Sequence, residues 1–203
     1  MELQIRELRK HDHDAVIQYA IEGMHFNAYL DNKLILNLYG RYFWYLELTN
    51  ATQVIAAYMG DELAGVLVVD MDGEAKPYAS MWKRLYVKVF DLLQHAFYKG
   101  GVEPYDKANE AMLAVYRKEH HPDGQIRFLA ANPHLKAKGI GTFLLNELAR
   151  RVRGKELYLF TDSQCSYQFY EHRGFTRGGE RDIDMDMKTK DVPLTCMLFS
   201  RQF

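Results

Sequence analysis

The chain has 203 residues, 48% of them apolar and 26% charged, with a formal net charge of −1. That length fits a single domain spanning 1–203, with ample apolar material for a core. The near-neutral balance excludes a global field that would draw the chain to nucleic acid or to an anionic membrane, so any charged substrate must meet a local patch. Cys165 and Cys196 are too few for a disulfide framework and lack metal-ligand spacing. Met1–Glu7 is charged from its second residue and has no apolar signal-peptide core. No apolar stretch reaches the ~18 residues of a membrane span. The expectation is a cytoplasmic, soluble protein with reduced thiols and no membrane partner.

In chain order, Gln4–Leu8 alternates as a first strand, and His13 to about Ala28 has helical apolar spacing through Val16, Tyr19, Ala20 and Met24. A second helix is predicted from Asn32 to Leu48, with Asp31 or Asn32 as its cap. Gln53–Met59 and Glu62–Asp70 are apolar, β-branched strands joined at Gly60-Asp61. Helical spacing returns over 80–98, through Trp82, Leu85, Tyr86, Val89, Leu92 and Leu93, and over 104–119, with Gly100-Gly101 between. This inserted pair, about 75–120, reads either as a surface hairpin filling out the core or as a lid. Then follow a strand at Gln125–Asn132, a helix at 139–153, a strand at Glu156–Thr161, a short helix at Ser163–His172, and strands near Phe175–Asp184 and Pro193–Arg201. The order predicts an α/β (α+β) domain with a mixed sheet.

The run Ala131-Asn132-Pro133-His134-Leu135-Lys136-Ala137-Lys138-Gly139-Ile140-Gly141-Thr142 carries the sharpest chemistry. A buried strand ends at a proline that cannot donate to a ladder. A short basic loop then leads into an amphipathic helix, with Ile140, Leu144, Leu148 and Val152 four apart. The first turn of a helix exposes unpaired N–H groups and the positive end of its dipole. Two glycines there admit a phosphate to the backbone, and Lys136 and Lys138 add charge, so the product is a pyrophosphate cradle. The P-loop pattern is absent, and the third glycine of a dinucleotide fingerprint is replaced by Leu144. Gly-x-Gly alone is equally compatible with a tight helix start or with a nucleotide site.

Lys136-Ala137-Lys138-Gly139-Ile140-Gly141 resembles the Arg/Gln-x-x-Gly-x-Gly/Ala motif of the GNAT superfamily of N-acetyltransferases, with Lys in place of the usual Arg or Gln. Downstream, Ser163-Gln164-Cys165-Ser166-Tyr167-Gln168-Phe169-Tyr170-Glu171-His172-Arg173-Gly174-Phe175 is similar to the family's Asn-x-x-Ala-x-x-Leu/Phe-Tyr-x-x-x-Gly-Phe, with Ser163 and Ser166 replacing Asn and Ala. The resemblance is close over about 125–180, and the element order extends it to most of the chain apart from the insertion. It implies a mostly antiparallel central sheet flanked by helices. It also implies acetyl-coenzyme A as co-substrate, without a metal. The diphosphate would be held by Lys136 to Thr142, with Ala137 among them. The pantetheine arm would lie along Leu129, Ala130 and Ala131, with contacts from Ser163 and Ser166. The acceptor is then an amine of a small molecule or peptide, reached by direct transfer. A coenzyme-binding sensor without turnover, and more distantly an ATP-binding protein, are the other readings.

Transfer to an amine needs a base for the ammonium and a proton for the departing thiolate. The resemblance gives the second role to Tyr170, whose phenol is protonated at neutral pH. Many relatives place the base on the strand before the glycine turn, but Gln125–Asn132 holds no Asp or Glu, and Arg127 stays protonated. Glu22, His25, Asp70, Asp72 and a water chain stay open as the base. His11-Asp12-His13, His120-His121 and Asp182–Asp186 lack metal-site spacing. A homodimer is the assembly that the resemblance suggests, since the family's C-terminal strand, here Leu194–Ser200, often pairs between copies.

Overall fold

A run of buried, β-branched residues flanked by glycine turns forms strands, and stretches of three-to-four spacing form helices, in the order the sequence predicts. The computed structural model describes residues 2–28, 32–97, 103–187 and 190–203, so the Gly100-Gly101 break lies outside the described residues. Strands β1 (Leu3–Arg6), β2 (Gln53–Met59), β3 (Glu62–Met71), β4 (Gly124–Ala131), β5 (Glu156–Asp162), β6 (Thr176–Met187) and β7 (Lys190–Gln202) form one mixed sheet in the order β1-β2-β3-β4-β5-β7-β6. β4 runs parallel to β5, while β1 with β2, β2 with β3, β5 with β7 and β6 with β7 pair antiparallel. Helices α1 (His13–Gly23), α2 (Lys33–Asn50), α3 (Met81–Phe97), α4 (Glu103–Tyr116), α5 (Ile140–Arg151) and α6 (Gln168–Glu171) flank it. By contacts the chain forms two units, Met1–Val87 with Ile126–Arg153, and Lys88–Gln125 with Gly154–Phe203.

In the first unit, β2 and β3 join through Gly60, whose φ of 63° suits a tight turn. Leu63–Val69 of β3 is buried without a break, because both faces are covered. On one face lie Val16, Ala20, Trp44 and Leu48 of α1 and α2, packed with Val66, Val68 and Phe128. On the other lies α5, through Ile140 and Leu144. At Gly65 the layers come too close for a side chain: a Cβ there would stand 2.8 Å from the Ala130 carbonyl oxygen and 2.8 Å from Ile140 Cγ2. Asn32 caps α2 by accepting from the N–H groups of Leu34 and Ile35. Buried Glu47 of α2 meets Arg127 of β4, with Nε 2.6 Å from the carboxylate. Burial holds Glu47 above the usual carboxylate range, against the pull of Arg127.

In the second unit, β7 lies between β5 and β6, from Glu156↔Gln202 to Asp162↔Cys196 on one side and Thr176↔Ser200 to Met187↔Lys190 on the other. Pro193 sits beyond Cys196, the last partner of β5, so its missing N–H interrupts no ladder on that side. Helix α4 lies on β6 and β7 because two glycines admit it: a Cβ on Gly178 would be 2.7 Å from the Tyr116 ring, and one on Gly179 would meet Met112 at 3.3 Å. Gly124 and Gln125 pair in parallel with Leu157 and Tyr158.

Two expectations need correction, and a third point bears on the two readings of the insertion. The first helix stops at Gly23 and not near Ala28; His25, at φ 53°, turns the chain, and Phe26–Ala28 is a separate 3-10 turn. The helix expected over Ser163–His172 shrinks to α6, because the Asp162 carboxylate accepts from the N–H groups of Gln164 and Cys165 and folds the preceding residues into a turn. The apolar stripe of the insertion's first helix does not fill the core: Val87 is buried, but Trp82 is 70% exposed and Leu92 71%. Periodicity locates such a stripe without saying which way it faces.

Two outcomes follow. Gly65→Val should destabilise the fold by about 1–3 kcal/mol through overpacking against backbone, read as a lower denaturation midpoint at unchanged slope; an unchanged midpoint would refute the close approach. Arg127→Met should cost about 3–5 kcal/mol at neutral pH by stranding the Glu47 carboxylate. With the folded-state carboxyl raised above its unfolded value, this variant regains stability as pH falls toward the ordinary carboxylate range and loses it as pH rises. A loss independent of pH would contradict the role given to Glu47.

Candidate functional site

The first unit carries the glycine turn. β4 alternates in burial from Gly124 to Ala130, and Ala131 is exposed at its end. Beyond it, Asn132 is the fastening. Its N–H donates to the Ala64 carbonyl at 2.7 Å. Its side-chain amide donates to the Glu62 carboxylate and the Leu63 carbonyl, and its Oδ1 accepts from the His134 N–H. Asn132 is 5% exposed, so this loop is bolted to β3 by buried hydrogen bonds. Lys136 and Lys138 follow on the surface, and Gly139 turns the chain at φ 82°.

Helix α5 then opens on Gly139 as a left-handed N-cap with no side-chain cap and no acidic residue in its first turn. The Phe143 N–H makes the bond to the Gly139 carbonyl. The amides of Ile140 and Gly141 precede that bond and point along the positive end of the helix dipole. Apolar Ile140 is buried at 3% exposure against the sheet, which fixes the helix start in place. Helix α2 makes the contrast, since Asn32 fills its opening. The predicted residues Leu129 to Thr142 are thus gathered in one continuous strand, loop and helix start.

Glu22, at the end of α1, stands 3.4 Å from His134 of this loop, with the carboxylate side chain 41% exposed. His25 lies two residues beyond α1, in the left-handed region. Asp70 is held by Lys76 at 3.0 Å, and Asp72 lies in the turn after β3. Of the four candidate bases, Glu22 is the one placed against the basic loop.

The second unit carries Ser163, Ser166 and Tyr170. Ser163 extends the β7 ladder, its N–H donating to the Thr195 carbonyl and its hydroxyl accepting from the Thr195 N–H. Ser166 is exposed, and its carbonyl accepts from the Phe169 N–H. The Tyr170 ring lies among Phe169, Phe175 and Phe199, at centroid distances of 5.3, 5.5 and 6.3 Å. The Phe175 N–H closes the short helix onto the Tyr170 carbonyl. Burial, with a further push from Cys165, raises the phenol well above its ordinary value, so it stays protonated throughout the physiological range. Burial and the neighbouring Asp162 likewise push the Cys165 thiol up to about 12, which leaves it a poor nucleophile.

Three residues escaped the sequence reading: Asn132, Glu47 and Asp162. Asn132 and Asp162 each end a strand at a turn, and Asx side chains that bond backbone two residues on are the signal that marks them. Glu47 carries no such mark, since its partner Arg127 lies 80 residues away.

No curated protein sequence matches the chain. Several solved structures share its fold. A structure described as histone acetyltransferase HPA2 and related acetyltransferase from Corynebacterium glutamicum superposes with a TM-score of 0.58 at 16% identity, covering 98% of this chain and 96% of that one. The PaiA N-acetyltransferase of Thermoplasma acidophilum, in complex with coenzyme A, gives 0.54 at 16% identity over all of both chains. YncA of Salmonella typhimurium, with acetyl-coenzyme A, gives 0.51 at 15% identity over 98% and 93%. Identities this low establish the fold alone. Residues 15–175, most of the chain, match the acetyltransferase (GNAT) family. The chain belongs to that family and is an acyltransferase.

Proposed function

We propose that the chain transfers the acetyl group of acetyl-coenzyme A directly to the primary amine of a small molecule or peptide. The observation that carries this reading is the opening of α5, which lacks a side-chain cap and an acidic first turn and follows a loop bearing Lys136 and Lys138. A diphosphate supplies what that opening lacks: anionic oxygens for the Ile140 and Gly141 amides and for the helix dipole. Two proteins of the same fold hold coenzyme A or acetyl-coenzyme A, which supports the same ligand here. Ala137 and Thr142 border the diphosphate in this reading, and the end of β4 (Leu129, Ala130, Ala131) offers backbone to the amide-bearing arm, as an added strand would.

In the proposed reaction the amine nitrogen attacks the thioester carbonyl carbon, the carbon–sulfur bond breaks, and the thiolate leaves with a proton. Tyr170 is the proposed donor of that proton. Its raised pKa keeps the hydroxyl loaded, and its aromatic surroundings fix the ring. The ammonium must first lose a proton, and Glu22 is the proposed acceptor, with His134 beside it to carry the charge onward. The protonated state of Cys165 supports one-step transfer over an acyl-cysteine route.

Gly141→Asp should weaken coenzyme A binding by at least about tenfold, through like charge against the diphosphate at the helix start, measured by calorimetric titration on protein with an unchanged melting curve. Undiminished affinity would remove the site. Tyr170→Phe should lower kcat by about a hundredfold or more and leave the coenzyme dissociation constant within about twofold. Since the folded-state phenol titrates above its ordinary value, Tyr170 causes no fall of wild-type kcat below about pH 10. Equal turnover in the variant, followed by free-thiol release over an amine panel, would reduce Tyr170 to packing.

A further inference from the structure

The His11-Asp12-His13 run, unused by the proposed reaction, lies where α1 begins, within the first unit. His13 is the first residue of α1 and is half-buried. Its Nδ1 accepts from the indole Nε1–H of Trp44, on α2, at 2.9 Å. Trp44 is fully buried in one cluster with Val16, Ala20, Leu48 and Phe128, its ring 6.3 Å from that of Phe128. A buried N–H that loses its acceptor is costly, because no water replaces the bond. The acceptor here is one that a single proton removes: neutral imidazole has one acceptor nitrogen, and imidazolium has none.

The surroundings of His13 disfavour that proton. A cation in the first turn of α1 opposes the helix dipole. Lys83 of α3 adds a positive charge nearby. Its ammonium donates to the Tyr78 carbonyl at 2.8 Å, and Tyr86 ties the same helix to α2 by donating to the Leu38 carbonyl at 3.2 Å. The two carboxylates that pull the other way are engaged elsewhere. Asp12 accepts from the Tyr58 hydroxyl at 2.7 Å and has His11 at 3.5 Å, while Asp14 stands 3.3 Å from Arg41 of α2. Burial, and then Lys83, lower the titration of His13 below the ordinary histidine value, against Asp12 and Asp14.

We propose that His13 and Trp44 form a proton-operated latch between α1 and α2, closed while Nδ1 accepts the indole N–H and opened when Nδ1 takes a proton. The imidazolium sets N–H against N–H, and the indole is left buried without an acceptor. The unfolded chain takes up the proton first, at about pH 6.5, so the stability due to the latch is fully present above that value. It is lost as pH falls from there through the lower value of folded His13. Mild acid thereby loosens the hold of α2 on α1, the helix that carries Glu22. The latch does not depend on the proposed reaction, and its readouts are the indole and the fold.

The test is hydrogen exchange of the two indoles in the ¹⁵N-labelled full-length chain at about pH 7.5 and about pH 5, on either side of the ordinary histidine value of ~6.5. Trp82, 70% exposed, is the reference for fully buried Trp44 in the same sample. The protection of Trp44 relative to Trp82 should fall by roughly threefold or more at the lower pH. In His13→Asn, whose side-chain carbonyl accepts the same bond and takes no proton, the ratio should hold. The urea midpoint of that variant should also fall less between the two pH values than that of the wild type. Trp44→Phe, which removes the donor, should move the His13 titration upward. Unchanged relative protection in the wild type overturns the proposal, as does an equal loss in His13→Asn. The wild-type ring signals of His13 decide the matter without a variant: a titration at or above the ordinary histidine value overturns the latch.

Discussion

A helix that begins without a side-chain cap has polar groups to satisfy, and α5 begins that way at Gly139. Ile140 and Leu144 anchor the helix on the sheet, and Asn132 fastens the preceding loop to β3 through three hydrogen bonds and accepts a fourth from His134 within the loop. Gly139 turns the chain at a positive φ that other residues rarely adopt. Each of these fixes the position of the helix start. Two other helix starts are closed by side chains: Asn32 fills the opening of α2 and Ser80 that of α3. On the proposed reading, the contrast separates starts closed by a side chain from one that takes the diphosphate.

The second unit contributes chemistry of another kind. Aromatic packing and burial keep the Tyr170 hydroxyl protonated, and the same low-dielectric surroundings disarm Cys165. One physical cause, desolvation, thereby suits Tyr170 to the donor role proposed for it and disfavours Cys165 as a nucleophile. In the proposed mechanism the acid–base work falls to Glu22 and Tyr170, which no local pattern joins.

The sequence was informative where structure is local. Glycine and proline punctuate the turn between β4 and α5, and period-two runs bound by Gly60-Asp61 mark the β2–β3 hairpin to within a residue. Asn32 was legible as a cap because capping is a contact between near neighbours. What stayed hidden depends on long-range contacts. Glu47 finds Arg127 across 80 positions, and Asp162 reshapes Ser163–Tyr167 through a side-chain turn that helical spacing masks. The stripe of α3 shows the limit most plainly: spacing gave the apolar face, but its direction is set by which side Tyr86 and Val87 anchor.

The central claim concerns two amides, and amide resonances report on them directly. In a ¹⁵N-labelled sample titrated with coenzyme A, the Ile140 and Gly141 N–H signals should move downfield with saturation, as hydrogen bonds to phosphate form, while Leu34 and Ile35, already bonded to the Asn32 cap, stay where they are. Saturable binding that leaves Ile140 and Gly141 unmoved would contradict the account.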